Sequence, residues 1–142
     1  MRQTVVFTFG LFSMLWTVSA AAPAAGADPF DGTWGVVLAC PPSPDGALPF
    51  TFRFAAEIRV GALHGQYGTP GQPASLALDG RIQPDGSAHL IARGITGQSA
   101  YSINQTMRGV PYQYDVNAQF SAARGTGSWV TKRTCNFTFT KQ

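Results

Sequence analysis

Tyr112-Gln113-Tyr114-Asp115-Val116-Asn117-Ala118-Gln119-Phe120 alternates an apolar or aromatic side chain with a polar one at every step. A period of two is the mark of a β-strand with one face buried and the other in water. The pattern recurs outward from this stretch. Phe50, Phe52, Phe54, Ala56, Ile58 and Val60 share one face, while Thr51, Arg53, Ala55, Glu57 and Arg59 share the other. Leu76, Leu78 and Ile82 alternate with Ala77, Asp79 and Arg81, and Phe137 and Phe139 alternate with Asn136, Thr138 and Thr140. One apolar face per strand is the habit of antiparallel sheet solvated on one side. Beyond residue 27 no stretch carries a helical stripe.

Turn residues separate the runs. Pro84-Asp85-Gly86 and Val60-Gly61-Ala62 read as hairpin turns. Residues 41–46, 68–73 and 108–111 are loops too rich in Pro and Gly to be strands. Strands are expected over 33–40, 49–60, 62–68, 74–82, 87–95, 99–106, 111–121, 125–131 and 133–141. Short strands joined by hairpins predict an all-β fold, an antiparallel up-and-down β-barrel of about eight strands, with a β-sandwich as the alternative.

The cysteines help choose. Cys40 ends the first strand on the face of Trp34, Val36 and Leu38, and Cys135 begins the last on the face of Phe137 and Phe139. Both point inward. If the two strands pair antiparallel with Cys40 opposite Cys135, Trp34 falls opposite Lys141. Pairing the first strand with the last closes a barrel and removes its edges. A Cys40–Cys135 disulfide would close almost the whole domain into one loop, contributing about 4–5 kcal/mol in the chain-entropy model. Two buried thiols or half of a metal site are the alternatives. No His or third Cys stands at ligand spacing, so no metal and no cofactor are expected.

The amino terminus predicts export. Arg2 precedes an apolar run from Val5 to Val18, short for a membrane span, and Ala25-Gly26-Ala27 then offers a cleavage site. Ser19-Ala20-Ala21 competes with it. Residues 1–27 are therefore read as a signal peptide and 28–142 as one domain, with a periplasmic or secreted destination and no membrane span after signal removal. Of 142 residues 12% are charged and the formal net charge is only +3, without a Lys/Arg cluster interleaved with aromatics. Nucleic acid is excluded as a partner on that ground.

Asp31-Gly32-Thr33-Trp34 supplies the Gly-x-Trp that opens the first strand of lipocalins and avidin-like barrels, and the chain resembles these calycins there. The resemblance implies a Trp that plugs the closed barrel end beneath a cation from the last strand, here Lys141 ahead of Arg133. Phe30 to Trp34 and Cys135 to Phe139 are also similar to the ends of small secreted bacterial proteins that open with Phe-Asp-Gly-Thr-Trp, a likeness that implies no particular activity. The first-strand Trp and single disulfide further resemble bacterial metalloprotease inhibitors, which use their amino-terminal segment, here residues 27–30. Their disulfide is local, whereas this one would span the domain.

The expected inward face is aromatic: Trp34, Phe50, Phe52, Phe54, Tyr67, Tyr101, Tyr112, Tyr114, Phe120, Phe137 and Phe139. Eight strands enclose a space that side chains fill or that holds one small ligand. Large rings favour filling. Buried phenols need partners, so the tyrosines favour a wet mouth. Trp34, Tyr67, Tyr101, Tyr112 and Tyr114 are the candidate ligand-lining residues. His64 and His89 alternate outward with no carboxylate at a spacing that suggests catalysis, and Glu57, Asp79 and Asp115 also point outward. The inward face thus offers no acid for general acid/base work, and the chain reads as no enzyme. The expected function is a binding module for a small apolar or aromatic ligand. The alternative is a secreted inhibitor of a hydrolase, a protease or lysozyme, acting through its amino-terminal segment or loops.

Overall fold

The computed structural model describes residues 28–142; the expected signal peptide lies outside them. Eight antiparallel strands run in sequence order around a closed barrel. They are β1 (Gly32–Cys40), β2 (Phe50–Arg59), β3 (Ala62–Tyr67), β4 (Ser75–Ile82), β5 (Ser87–Ile95), β6 (Pro111–Phe120), β7 (Arg124–Val130) and β8 (Thr134–Lys141). β1 pairs with β8 from Trp34 opposite Lys141 to Ala39 opposite Asn136, the register anticipated from the cysteines. Cys40 and Cys135 form a disulfide across that seam.

Strand formation follows the alternation. Val36, Leu38, Leu76, Leu78, Leu90, Val116, Phe137 and Phe139 fill the interior, almost wholly buried. Several inward glycines make room for rings. A side chain at Gly125 would collide with the Phe120 ring, and one at Gly94 with the Tyr112 phenol.

Two expectations need correction. Residues 99–106 are not a strand. They form two 3-10 turns, Ser99–Tyr101 and Ile103–Gln105. β5 pairs directly with β6, Ile95 opposite Pro111, so the intervening chain has no place in the sheet. Val60 does not face inward either. It sits with Gly61 in a two-residue hairpin at φ 50° and 74°, the left-handed geometry such turns require. A β-branched residue resists that backbone. The Asp31 carboxylate holds it there, accepting from the Val60 N–H at 2.8 Å and the Gly61 N–H at 3.1 Å.

The connections divide by end. Residues 60–61, 83–86 and 121–123 make short turns at the Trp34 end. The long connections, 41–49, 68–74 and 96–110, gather at the disulfide end. This asymmetry decides where a site can lie.

Candidate functional site

The Trp34 end is filled. Trp34 is fully buried and donates its indole N–H to the Phe30 carbonyl at 2.8 Å. Phe120 meets its ring edge-on at 5.4 Å between centroids and packs on Phe139 at 4.7 Å. Phe30 closes the layer from outside, 6.2 Å from Phe120. Lys141 stands opposite Trp34 in the ladder and reaches the Pro29 carbonyl at 3.3 Å.

The disulfide end is hollow. A cavity of about 500 Å³ opens there, lined by Phe50 and Phe52 from β2, Tyr112 and Tyr114 from β6, Trp129 from β7, Arg133 just before β8 and Cys135 at its start. Residues from 95 to 106 cover it, Tyr101 and Ile103 among them. The volume lies in the range of small-molecule sites. Burial along the strands reports the same change. Val116 and Phe120 of β6 are buried, whereas Tyr112 and Tyr114 are half-buried; in β2 Ala56 and Ile58 are buried, whereas Phe50, Phe52 and Phe54 are half-buried.

Two aromatic walls face the space. On one side Tyr112 stacks on Tyr114 at 5.1 Å, and Trp129 lies 5.0 Å from Tyr114. On the other, Phe50 and Phe52 lie 4.8 Å apart, and Tyr67 stacks on Phe52 at 3.9 Å. Of the candidate lining residues, Tyr101, Tyr112 and Tyr114 bound the cavity. Tyr67 stands behind Phe52. Trp34 is the correction: it plugs the opposite end and touches no part of the cavity.

No group among the described residues hydrogen-bonds the hydroxyls of Tyr112 and Tyr114, and neither hydroxyl is sealed from solvent. Burial, with Tyr114 alongside, pushes the Tyr112 phenol well up. Burial also raises Tyr114, and the nearby Arg133 opposes that shift. Both are therefore neutral at physiological pH, able to donate and accept.

Arg133, named in the sequence reading only as the second candidate for the cation over Trp34, lies instead at the opposite, hollow end. It exposes 9% of its surface. Nη1 donates to the carbonyls of Pro41 and Leu48, each at 3.0 Å, and Nη2 to that of Tyr101 at 2.7 Å. Its guanidinium also lies 5.1 Å from the Phe50 ring centre. Arg133 thus ties two of the three long mouth loops, 41–49 and 96–110, to the barrel. Its signal was present, since Arg133 shares the inward parity of Cys135, Phe137 and Phe139. Trp129 was missed for another reason: its inward neighbours are Gly125 and Gly127, which erase the apolar alternation of β7.

The mouth loops are also bonded to each other. Asp45 accepts from the Ser43 hydroxyl and from the Asn104 N–H at 2.6 Å, and pairs with Lys132 at 3.6 Å. These contacts hold its carboxyl down at about 2. Leu48 N–H donates to the Ala100 carbonyl at 2.8 Å. Thr96 anchors the base of the cover, donating to the Met107 carbonyl at 2.5 Å and accepting from Val110 N–H at 2.8 Å.

Outside the barrel, His64 meets Asp79 at 2.6 Å and His89 meets Asp115 at 3.1 Å, all four exposed. Sequence spacing hid these pairs because each forms across neighbouring strands. Neither touches the cavity. In comparisons with protein-family models, curated proteins and solved structures, nothing matches the chain.

Proposed function

We propose that the protein is an exported binding module that holds one small apolar or aromatic molecule in the cavity at the disulfide end of its barrel. The observation that carries this reading is the aromatic-walled space of about 500 Å³ lined by two phenols without a hydrogen-bond partner among the described residues. Flat rings on both sides favour a planar or apolar body. Unpartnered hydroxyls orient it. Exposed Leu48, Tyr101, Met107 and Val110 give the mouth an apolar rim. Tyrosine hydroxyls, a guanidinium and ring faces are groups that hold a molecule, and we assign no catalytic role. The calycin resemblance agrees with a ligand inside the barrel. The amino-terminal pattern supports periplasmic or secreted placement, and the disulfide is compatible with it.

The inhibitor alternative draws on residues 27–30. Phe30 is buried beneath the plug, and the backbone from 28 to 31 closes a turn, with Asp31 N–H donating to the Asp28 carbonyl at 2.9 Å. The binding reading needs no such segment to be released.

The test is a native and a denatured mass of the protein purified from its own host. A constant extra mass that disappears on denaturation is the expected result. A bare mass, together with no change in Trp129 emission on titration with 2-naphthoate or 2-naphthamide, overturns the reading.

A further inference from the structure

The cavity wall contains a cation whose binding capacity the protein does not exhaust. No carboxylate lies within salt-bridge distance of Arg133 among the described residues. Asp45 supports its charge from further away but is bonded to Ser43, Asn104 and Lys132. The three carbonyls occupy both Nη1 hydrogens and one on Nη2. Nε–H and the second Nη2–H remain without an acceptor among the described residues. Nε is not sealed off, since no buried side-chain nitrogen lacks a partner. An arginine that exposes only 9% of its surface, with donors left over, is expensive unless an anion completes it. The Tyr114 phenol stands close enough to feel that charge.

We infer that the ligand of this cavity is an organic acid, a planar or apolar body carrying a carboxylate or comparable oxyanion that seats on Arg133, with the Tyr112 and Tyr114 hydroxyls as further donors. The inference rests on the binding reading above and narrows it from apolar molecules in general to apolar anions. The body lies between the aromatic walls, and the acid group points to the side where β8 begins. Charge-assisted hydrogen bonds to a guanidinium are roughly twice as strong as neutral ones. In a site withdrawn from water, salt screens such a pair weakly.

Calorimetric titration with matched probes tests this on the purified protein, so the outcome does not depend on a variant's folding. 2-Naphthoate and 2-naphthamide have nearly the same shape and differ in charge at pH 7. The acid should bind about tenfold or more tightly than the amide. Tyr114→Phe should weaken the acid more than the amide. Arg133→Lys, which keeps the charge but loses the planar fork, should shrink the acid's advantage. Arg93→Gln on the outer face should leave that advantage intact. Equal affinity for acid and amide overturns the anion assignment while the binding reading stands. Binding of neither overturns both. Loss of the preference in Arg93→Gln moves the anion site off the cavity and overturns the assignment as well.

Discussion

The two ends of the barrel use the same material to opposite effect. At one end Trp34, Phe30, Phe120 and Phe139 meet edge-on and tilted, and the space is full. At the other, Tyr112, Tyr114 and Trp129 pack on one another along one wall, while Phe50, Phe52 and Tyr67 pack along the other. Rings that pack across an axis make a plug. Rings that pack along their own wall leave a gap between walls. Loop length reinforces the contrast, since short turns seal the Trp34 end and long connections bridge the mouth.

The difference predicts that damage at one end costs stability and damage at the other costs binding. Trp34→Ala should be the most destabilising change, by about 3–5 kcal/mol as for large buried aromatics. A denaturant titration checks it, and a loss near zero would break the contrast. Replacing Cys40 and Cys135 together by alanine should cost about 2–5 kcal/mol through the released loop, read by the same titration under non-reducing conditions. The bond lies at the hollow end but acts through the unfolded chain rather than through packing, so this variant marks the limit of the contrast: stability falls while the Trp34 packing stays intact.

Acid should loosen the mouth before the plug. The Asp45 carboxyl is held at about 2, below its ordinary 3.8. Its contribution is therefore complete above about pH 4 and is lost as the pH falls through about 2. Hydrogen exchange at the Asn104 amide, which donates to Asp45, should accelerate across that window relative to core amides of β1. Exchange rising in step at both places would remove the distinction.

The smallest effect on stability is expected from Tyr112→Phe with Tyr114→Phe, within about 0.5 kcal/mol, because hydroxyls without a partner among the described residues contribute no hydrogen bond there. Ligand affinity should nevertheless fall. A large drop in melting temperature would show that the phenols belong to the core.

Much of the barrel was legible in sequence because its cause is local. Inward and outward faces follow from a period of two, and Cys40 and Cys135 sit at the ends of terminal strands on inward parity. That parity alone sufficed to place Trp34 opposite Lys141. Residues 99–106 misled because eight residues of mixed polarity resemble a weak strand. Only the direct pairing of Ile95 with Pro111 excludes them from the sheet. The site was half legible. Tyr112 and Tyr114 stand in the clearest alternation of the chain, but Trp129 is masked by glycines, and Arg133 was legible as an inward last-strand cation but not as one at the hollow end.

The amino-acid sequence by itself determined the strands, their inward faces, the antiparallel sense and the covalent seam, since each follows from neighbours a few residues apart or from the chemistry of two cysteines. Tertiary structure alone decided which end is hollow, which tyrosines reach the hollow, and that Arg133 joins two of the mouth loops beside it. Those outcomes depend on whether rings from strands far apart in sequence meet across the closed barrel. That distance is set by closure and by the long connections, and no local pattern encodes it.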